Sequence, residues 1–213
     1  MSAITTQGPT DDVAAREITA VRLEPTQWGN AAPLALAAFA VTTFMLSMVN
    51  ANWIAPGVEP VVFGVALMFG GITQLIAGII QFRNGSTFTG MLFSAFGAFW
   101  LSLFAIVQFF IKLIPPAQAG HALGLFLYAF GIFTFVMWVA SFRTSVVTNA
   151  ALFVLMLTFF LLAIGNYGGH ITVIHWGGYL GLVTAALAGY LACAEVCEAS
   201  YGRSVLPIWP LAK

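Results

Sequence analysis

Gln74 stands near the middle of the apolar run "LMFGGITQLIAGIIQF", Leu67 to Phe82, with Gly70 and Gly78 four residues to either side. A primary amide in hydrocarbon costs several kcal/mol unless it finds a hydrogen-bond partner or water. Two readings of this amide are open. In the first it ties two helices together, a contribution of about 1 kcal/mol. In the second it lines a narrow polar route through the protein, together with Thr42, Thr43, Thr73, Gln108, Thr158 and Asn166. Threonine in a membrane helix often bonds its own backbone, so none of these residues decides the question alone.

The remaining reactive side chains narrow the chemistry further. No Asp, Glu, Lys or Arg lies deep in any apolar run, which argues against a buried charge relay of the kind that ion-coupled pumps and voltage sensors use. Glu195 and Glu198 come at the end of the last run; a solvated helix end is the plain reading, and a proton-handling or gating role for Glu195 is the functional one. Cys193 and Cys197 read as packing thiols, since a metal site would need two further ligands at suitable spacing and the sequence offers none. His121, His170 and His175 fall near one face of the membrane. A six-coordinate haem needs ligands facing each other across a bundle. His170 and His175 are five residues apart and His121 opens a helix at the surface, so no cofactor is expected.

The elements that must position these groups follow from composition. Of the 213 residues 61% are hydrophobic and only 7% charged, and the mean hydropathy is +0.97, which defines an integral membrane protein and excludes a soluble domain. The uncharged runs hold six helices at ~20 residues per crossing. They are expected at Pro33 to Val49, Val61 to Phe82, Phe88 to Ile111, Ala122 to Ala140, Val146 to Ile164 and Thr172 to Cys193. The fold class is thus an all-α membrane protein of six transmembrane helices. Residues 1–32 read as a flexible tail, 33–200 as the transmembrane domain and 201–213 as a second tail. The first 32 residues lack the basic start and early apolar core of a signal peptide.

Six of the seven basic residues (Arg16, Arg22, Arg83, Arg143, Arg203 and Lys213) fall on one side of this arrangement and only Lys112 on the other. The positive-inside rule therefore places both termini in the cytoplasm. A net charge of zero gives no reason to expect nucleic-acid binding. Small residues supply the close helix packing that lipid does not drive. They form stripes at Gly177, Gly181, Ala185 and Gly189, at Ser94, Ala98 and Ser102, and at Gly70 and Gly78 around Gln74.

The entry to the first helix reads "GNAAPLALAAFAVTTFML" and resembles the signature Asn-Pro-Ala-Pro-Leu-Gly-Leu of the acetate uptake transporter family, which includes the succinate-acetate permeases. Asn30, Ala32, Pro33, Leu34 and Leu36 match it, while Ala31 replaces the first proline and Ala35 the glycine. "FGGITQLIAGIIQFRNGSTF", "FGAFWLSL", "LLAIGN" and "YGRSVLPI" resemble later segments of the family in the same order. The resemblance implies a homo-hexamer in the cell membrane, each subunit with its own pore for small carboxylates such as acetate and succinate, and it implies coupling to protons. It also implies a constriction of two aromatics and a leucine, which falls on Phe39, Phe96 and Leu155; members often carry Tyr where this chain has Phe96. These three lie 6, 8 and 9 positions past the expected starts of helices 1, 3 and 5. At ~1.5 Å per residue that spreads them over only about 4 to 5 Å in depth, which allows one ring.

An apolar ring passes a carboxylate either briefly, between hydrated sites, or as the neutral acid. At one mouth Asn30 sits where a helix cap belongs, with Pro33 in the first turn, and the free N–H groups of helix 1 can face a carboxylate. Gln74 is the candidate polar group beside the ring. Two alternatives stand: a pore for neutral small solutes, and a membrane-organising protein whose glycine stripes serve assembly alone. No enzymatic chemistry is expected.

Overall fold

The computed structural model describes residues 28–211. The expected flexible tail, with Arg16 and Arg22, and the terminal Lys213 lie outside the described residues. Six helices are long and apolar enough to cross a membrane: α1 Ala32–Asn50, α2 Pro56–Arg83, α3 Thr87–Leu113, α4 Pro116–Arg143, α5 Val146–Gly168 and α6 Ile171–Tyr201. Among the described residues there is no strand, only an isolated bridge between Ser145 and Pro210.

The helices run longer than the hydrophobic pattern implied, and turn chemistry sets their real ends. The last helix was expected to stop at Cys193, yet nothing breaks it before Gly202, which takes φ +66° in the left-handed region and closes it. Glu195 and Glu198 therefore sit within α6, not at its tip. Likewise α5 continues to Gly168 and is closed by Gly169, also at φ +66°. At the front of α2, Pro56 starts a short 3-10 turn that leads into the helix at Pro60.

Two helices are irregular where the pattern gave no warning. In α2 the stretch Ala66–Thr73 is π-helical and hands over to regular helix at Gln74. The Thr73 hydroxyl donates to the Met68 carbonyl at 2.9 Å, five residues back, as a widened turn permits. In α3 the stretch Ile106–Phe110 is also π-helical. Extra residues in the turns rotate the remainder of the helix about its axis, so Gln74 takes its direction from this step and not from a straight helix drawn from Val61.

In order around the bundle, α3 packs on α2, α2 on α1, α1 on α6, α6 on α5 and α5 on α4. The ring closes through aromatic rings: Phe99 of α3 lies 5.3 Å from Phe126 and 4.9 Å from Phe130 of α4, centre to centre. Glycines set the closest seams. A Cβ at Gly97 would stand 2.6 Å from the Leu75 nitrogen, and one at Gly78 would run into the backbone of Ser94, so α2 and α3 meet backbone to backbone. Gly70 leaves room in the same way for Thr42 and Trp100.

The segment after α6 does not hang free. Its Trp209 carbonyl accepts from the Val146 N–H at 2.9 Å, and the Leu211 N–H donates to the Thr144 carbonyl at 2.9 Å. The Tyr190 hydroxyl donates to the Pro207 carbonyl at 2.8 Å, and Ile208 packs on Val147, Ala151 and Leu191. The first turn of α5 is therefore capped from outside by the segment that follows α6.

Candidate functional site

Two cavities lie inside the ring of helices. The larger, a vestibule of about 420 Å³, is formed where α1, α3 and α5 end and α2, α4 and α6 begin. Its mouth carries Asn50, Asn52, Glu59, Asn166 and His175, and its inner walls Thr43, Ser47, Phe99, Trp100, Thr158 and Phe159. The smaller, about 40 Å³, lies deeper and is bounded by Leu36, Gln74, Phe93, Phe96, Thr184 and Ala188, with others. Phe39 and Leu155 are the two residues that line both. They are walls shared by the two cavities.

The expected ring is brought together. Phe39 and Phe96 stand 5.3 Å apart, centre to centre, tilted by 57°. Phe96 is stacked on Phe159 at 6.2 Å and meets Phe133 edge-on at 5.8 Å, so its ring is held from α1, α4 and α5 at once. All three of Phe39, Phe96 and Leu155 are at least nine-tenths buried. A hydroxyl at the Phe96 position would have to find a partner among these rings, and Phe needs none. The surrounding aromatics, Phe99 and Phe159 above all, were not singled out from the sequence. The spacing of Phe93, Phe96 and Phe99, every third residue along α3, was the available signal.

Of six buried polar side-chain atoms without a hydrogen-bond partner among the described residues, four belong to residues that border the cavities, and two, Ser94 Oγ and Trp138 Nε1, do not. Gln74 is 1% exposed, and neither its Nε2 nor its Oε1 makes a hydrogen bond. On the vestibule side the Thr43 hydroxyl and the Trp100 indole N–H are likewise buried and unpartnered. Native structures leave few such groups, and each calls for water or a ligand. The other expected polar lining is spent on the helices themselves. Thr158 donates to the Val154 carbonyl at 2.9 Å and Asn166 to the Leu162 carbonyl at 2.8 Å, although both border the vestibule. Thr73 is bonded within its π-turn, and Thr73 and Gln108 line neither cavity.

Five of the expected site residues, Asn30, Pro33, Leu34, Thr42 and Glu195, border neither cavity. Leu34 is 47% exposed and borders neither cavity, because its place in the first turn of α1 turns it away from the bundle. Thr42 also borders neither; it packs over Gly70, and its hydroxyl donates to the Ala38 carbonyl at 2.8 Å. Replacing Thr42 with Val keeps that shape and removes only a bond to its own helix. We expect solute flux through purified Thr42→Val in liposomes to stay within about twofold of the native protein.

At the opposite end, where α1 begins, Asn30, Gln81 and Glu195 meet. Asn30 Nδ2 donates to Glu195 Oε2 at 3.1 Å, its Oδ1 accepts from the Ala32 N–H at 3.0 Å, and the Gln81 amide lies 2.6 Å from that Oδ1. Ala31 and not Asn30 takes the cap position in backbone terms, so Asn30 caps α1 from one residue further out, with buried Pro33 inside the first turn. With the Gln81 oxygen turned toward α1, it accepts from the N–H groups of Ala31 and Ala32 at 3.2 and 2.6 Å. Gln81 was not singled out from the sequence.

Cys193 and Cys197 are free thiols 3.9 Å apart, and among the described residues no three His, Cys, Asp or Glu side chains converge as a metal site. His121 packs against Tyr167 at 4.5 Å, at the end of the bundle where α4 begins.

A six-helix membrane bundle with two cavities among its helices, sharing Phe39 and Leu155 as walls, is a framework suited to a solute transporter or channel. The chain belongs to the GPR1/FUN34/yaaH family, whose model matches residues 16–213. It is 36% identical over 183 residues to the succinate-acetate/proton symporter SatP of Escherichia coli K12, covering 86% of this chain and 96% of that one. It is 34% identical to acetate permease A of Emericella nidulans, over 87% of this chain and 67% of that one, and 37% identical to ammonia transport outward protein 2 of Saccharomyces cerevisiae, with the same shares covered. The solved structure of the bacterial acetate channel SatP superposes with a TM-score of 0.79 at 36% identity, over 85% of this chain and 99% of that one.

Proposed function

We propose that this protein carries acetate and related small carboxylates, succinate among them, across the cell membrane through a passage within each subunit. Phe39, Phe96 and Leu155 form its gate. The observation that carries this reading is that Phe39 and Leu155 wall both the vestibule and the inner chamber, so a solute going from one to the other has to pass between them. The unpartnered Thr43 hydroxyl and Trp100 N–H support it, since donors beside a neck are what a waiting carboxylate requires. The named roles of the bacterial and fungal relatives support the substrate class.

Cytoplasmic termini follow from the side shared by Arg83, Arg143 and Arg203, which puts the vestibule outside and the Asn30–Gln81–Glu195 cluster inside. On this reading Glu195 handles protons at the inner mouth and Asn30, with Pro33 behind it, receives the leaving carboxylate. Assembly as a homo-hexamer in the plasma or inner membrane is part of the same reading and rests on the family.

The test is uptake of labelled acetate into liposomes holding only this protein. Uptake above that of protein-free vesicles, saturable and competed by succinate, is the expected result; none above background overturns the reading. A second reading, a pore for neutral small solutes, is favoured by the apolar neck and by the ammonia transport name of the yeast relative. Methylamine flux without acetate flux would select it.

A further inference from the structure

Toward the end of the bundle where α1 begins, the smaller cavity is walled by Leu36 of α1, Thr148 and Ala151 in the first turns of α5, and Ala188 and Leu191 of α6. A solute that has passed Phe39 and Leu155 has to leave between these three helices. On the other side of this wall lies the segment 204–211. Its half-buried Ile208 packs against the cluster of Val147, Ala151 and Leu191, on which Leu36 and Tyr190 also pack. Ala151 and Leu191 therefore join the two features: they line the cavity and they carry Ile208.

The segment is fastened to two helices at once. Its Trp209 carbonyl and Leu211 N–H are bonded to Val146 and Thr144 at the front of α5, and its Pro207 carbonyl to the Tyr190 hydroxyl of α6. It bridges the seam between α5 and α6, which cannot part at this end while it is in place. The fastening is light. Pro207, Trp209, Pro210 and Leu211 are exposed, and Trp209 stands at φ +51°, a left-handed conformation that a bulky side chain adopts only under strain. Segments with few buried apolar contacts and exposed hydrogen bonds open locally long before the fold does.

Resting on the carboxylate-passage reading above, we propose that the segment 204–211 is a strap that shuts the inner end of the passage, with Ile208 as its pin. Its release lets α5 and α6 part and opens the smaller cavity to that side.

The strap can be locked. Ser145 and Pro210 stand opposite one another in the isolated antiparallel bridge. The bonds on either side run between Val146 and Trp209 and between Thr144 and Leu211, so this is the non-bonded kind of pair, with Cα atoms about 4.5 Å apart and within disulfide reach. In the full chain carrying Cys193→Ser and Cys197→Ser, Ser145→Cys with Pro210→Cys is oxidised with diamide. Acetate flux in proteoliposomes should fall at least tenfold and return with dithiothreitol, while the chain without the introduced pair is indifferent to both reagents. Ile208→Ser should raise flux at least threefold. A second readout needs no transport: Ala188→Cys in the same background puts a thiol in the cavity wall. A small charged methanethiosulfonate should label it at least fivefold faster once Ile208→Ser is added. Equal flux in the oxidised and reduced forms of the locked protein overturns the proposal, since the segment is then only a brace for α5. Labelling of Ala188→Cys that Ile208→Ser leaves unchanged overturns it as well. If Ile208→Ser does not fold, the oxidised and reduced forms of one protein decide. Faster labelling without any acetate flux upholds the strap and defeats the carboxylate reading instead.

Discussion

Phe39→Ala raises acetate flux roughly tenfold to a hundredfold in proteoliposomes, and succinate gains more than acetate. The ring of Phe39 is 7% exposed, stands against Phe96 and separates the vestibule from the inner chamber. Its removal joins the two volumes and admits water to the neck. A polar group crossing an apolar neck pays several kcal/mol of desolvation, and relief of about 1.4 to 2.8 kcal/mol of that corresponds to this range of rates. The same truncation costs about 3 to 5 kcal/mol of packing, so the thermal midpoint falls, and Phe39→Leu, which fills more of the space, is the control. Unchanged flux in a folded Phe39→Ala protein would mean that the barrier lies elsewhere.

Gly178→Leu abolishes the folded protein, with membrane-inserted yield down at least tenfold. A Cβ at Gly178 would enter the backbone of Asn50 and Ala51, where α1 turns toward α2, and backbone cannot swing aside as a side chain can. Separating α1 from α6 to admit it forfeits contacts along the whole seam, a loss of more than about 3 kcal/mol. Gly189→Ala is the paired control: there the nearest atom is the Ala40 Cβ at 3.8 Å, ordinary contact, and the better helix propensity of alanine is free to act. Size-exclusion profiles of the two variants distinguish a loss at one packed seam from a general need for glycine in α6.

The same pair of glycines shows how far the sequence could be read. The stripe Gly177, Gly181, Ala185 and Gly189 marked α6 as a packing helix, yet the closest approach to neighbouring backbone is at Gly178, off the stripe. The reason is that α6 lies between two neighbours, Gly177 facing Leu162 of α5 while Gly178 and Gly181 face α1, so a residue beside the stripe packs as closely as those on it. The six spans were legible because hydrocarbon demands unbroken apolar runs. Their ends were less so, since Ala194 to Tyr201 continues α6 through two glutamates that hydropathy treats as a stop. The π-turns of α2 and α3 left no trace in the pattern, because a widened turn changes the phase of a helix and not its composition.

Of the candidate site, Phe39, Phe96, Leu155 and Gln74 line the cavities, while Asn30, Pro33, Leu34, Thr42 and Glu195 border neither. The sequence motif at the start of α1 mixes residues that face the bundle with residues that face away, and sequence order alone cannot separate them. The Asn30–Gln81–Glu195 cluster joins the start of α1, the end of α2 and the late turns of α6, residues far apart in the chain. Such a convergence becomes visible only when the helices are assembled.

The capping of α5 by the segment around Trp209 has a mechanical side. Val146 begins the helix that carries Leu155, nine residues or about 14 Å further along the same rod. Tension applied to the C-terminal segment, whether by a tether or by a neighbouring molecule gripping it, is delivered to the base of that rod and not dissipated in slack chain. The segment around Trp209 is in this sense a lever attached to the helix that carries Leu155.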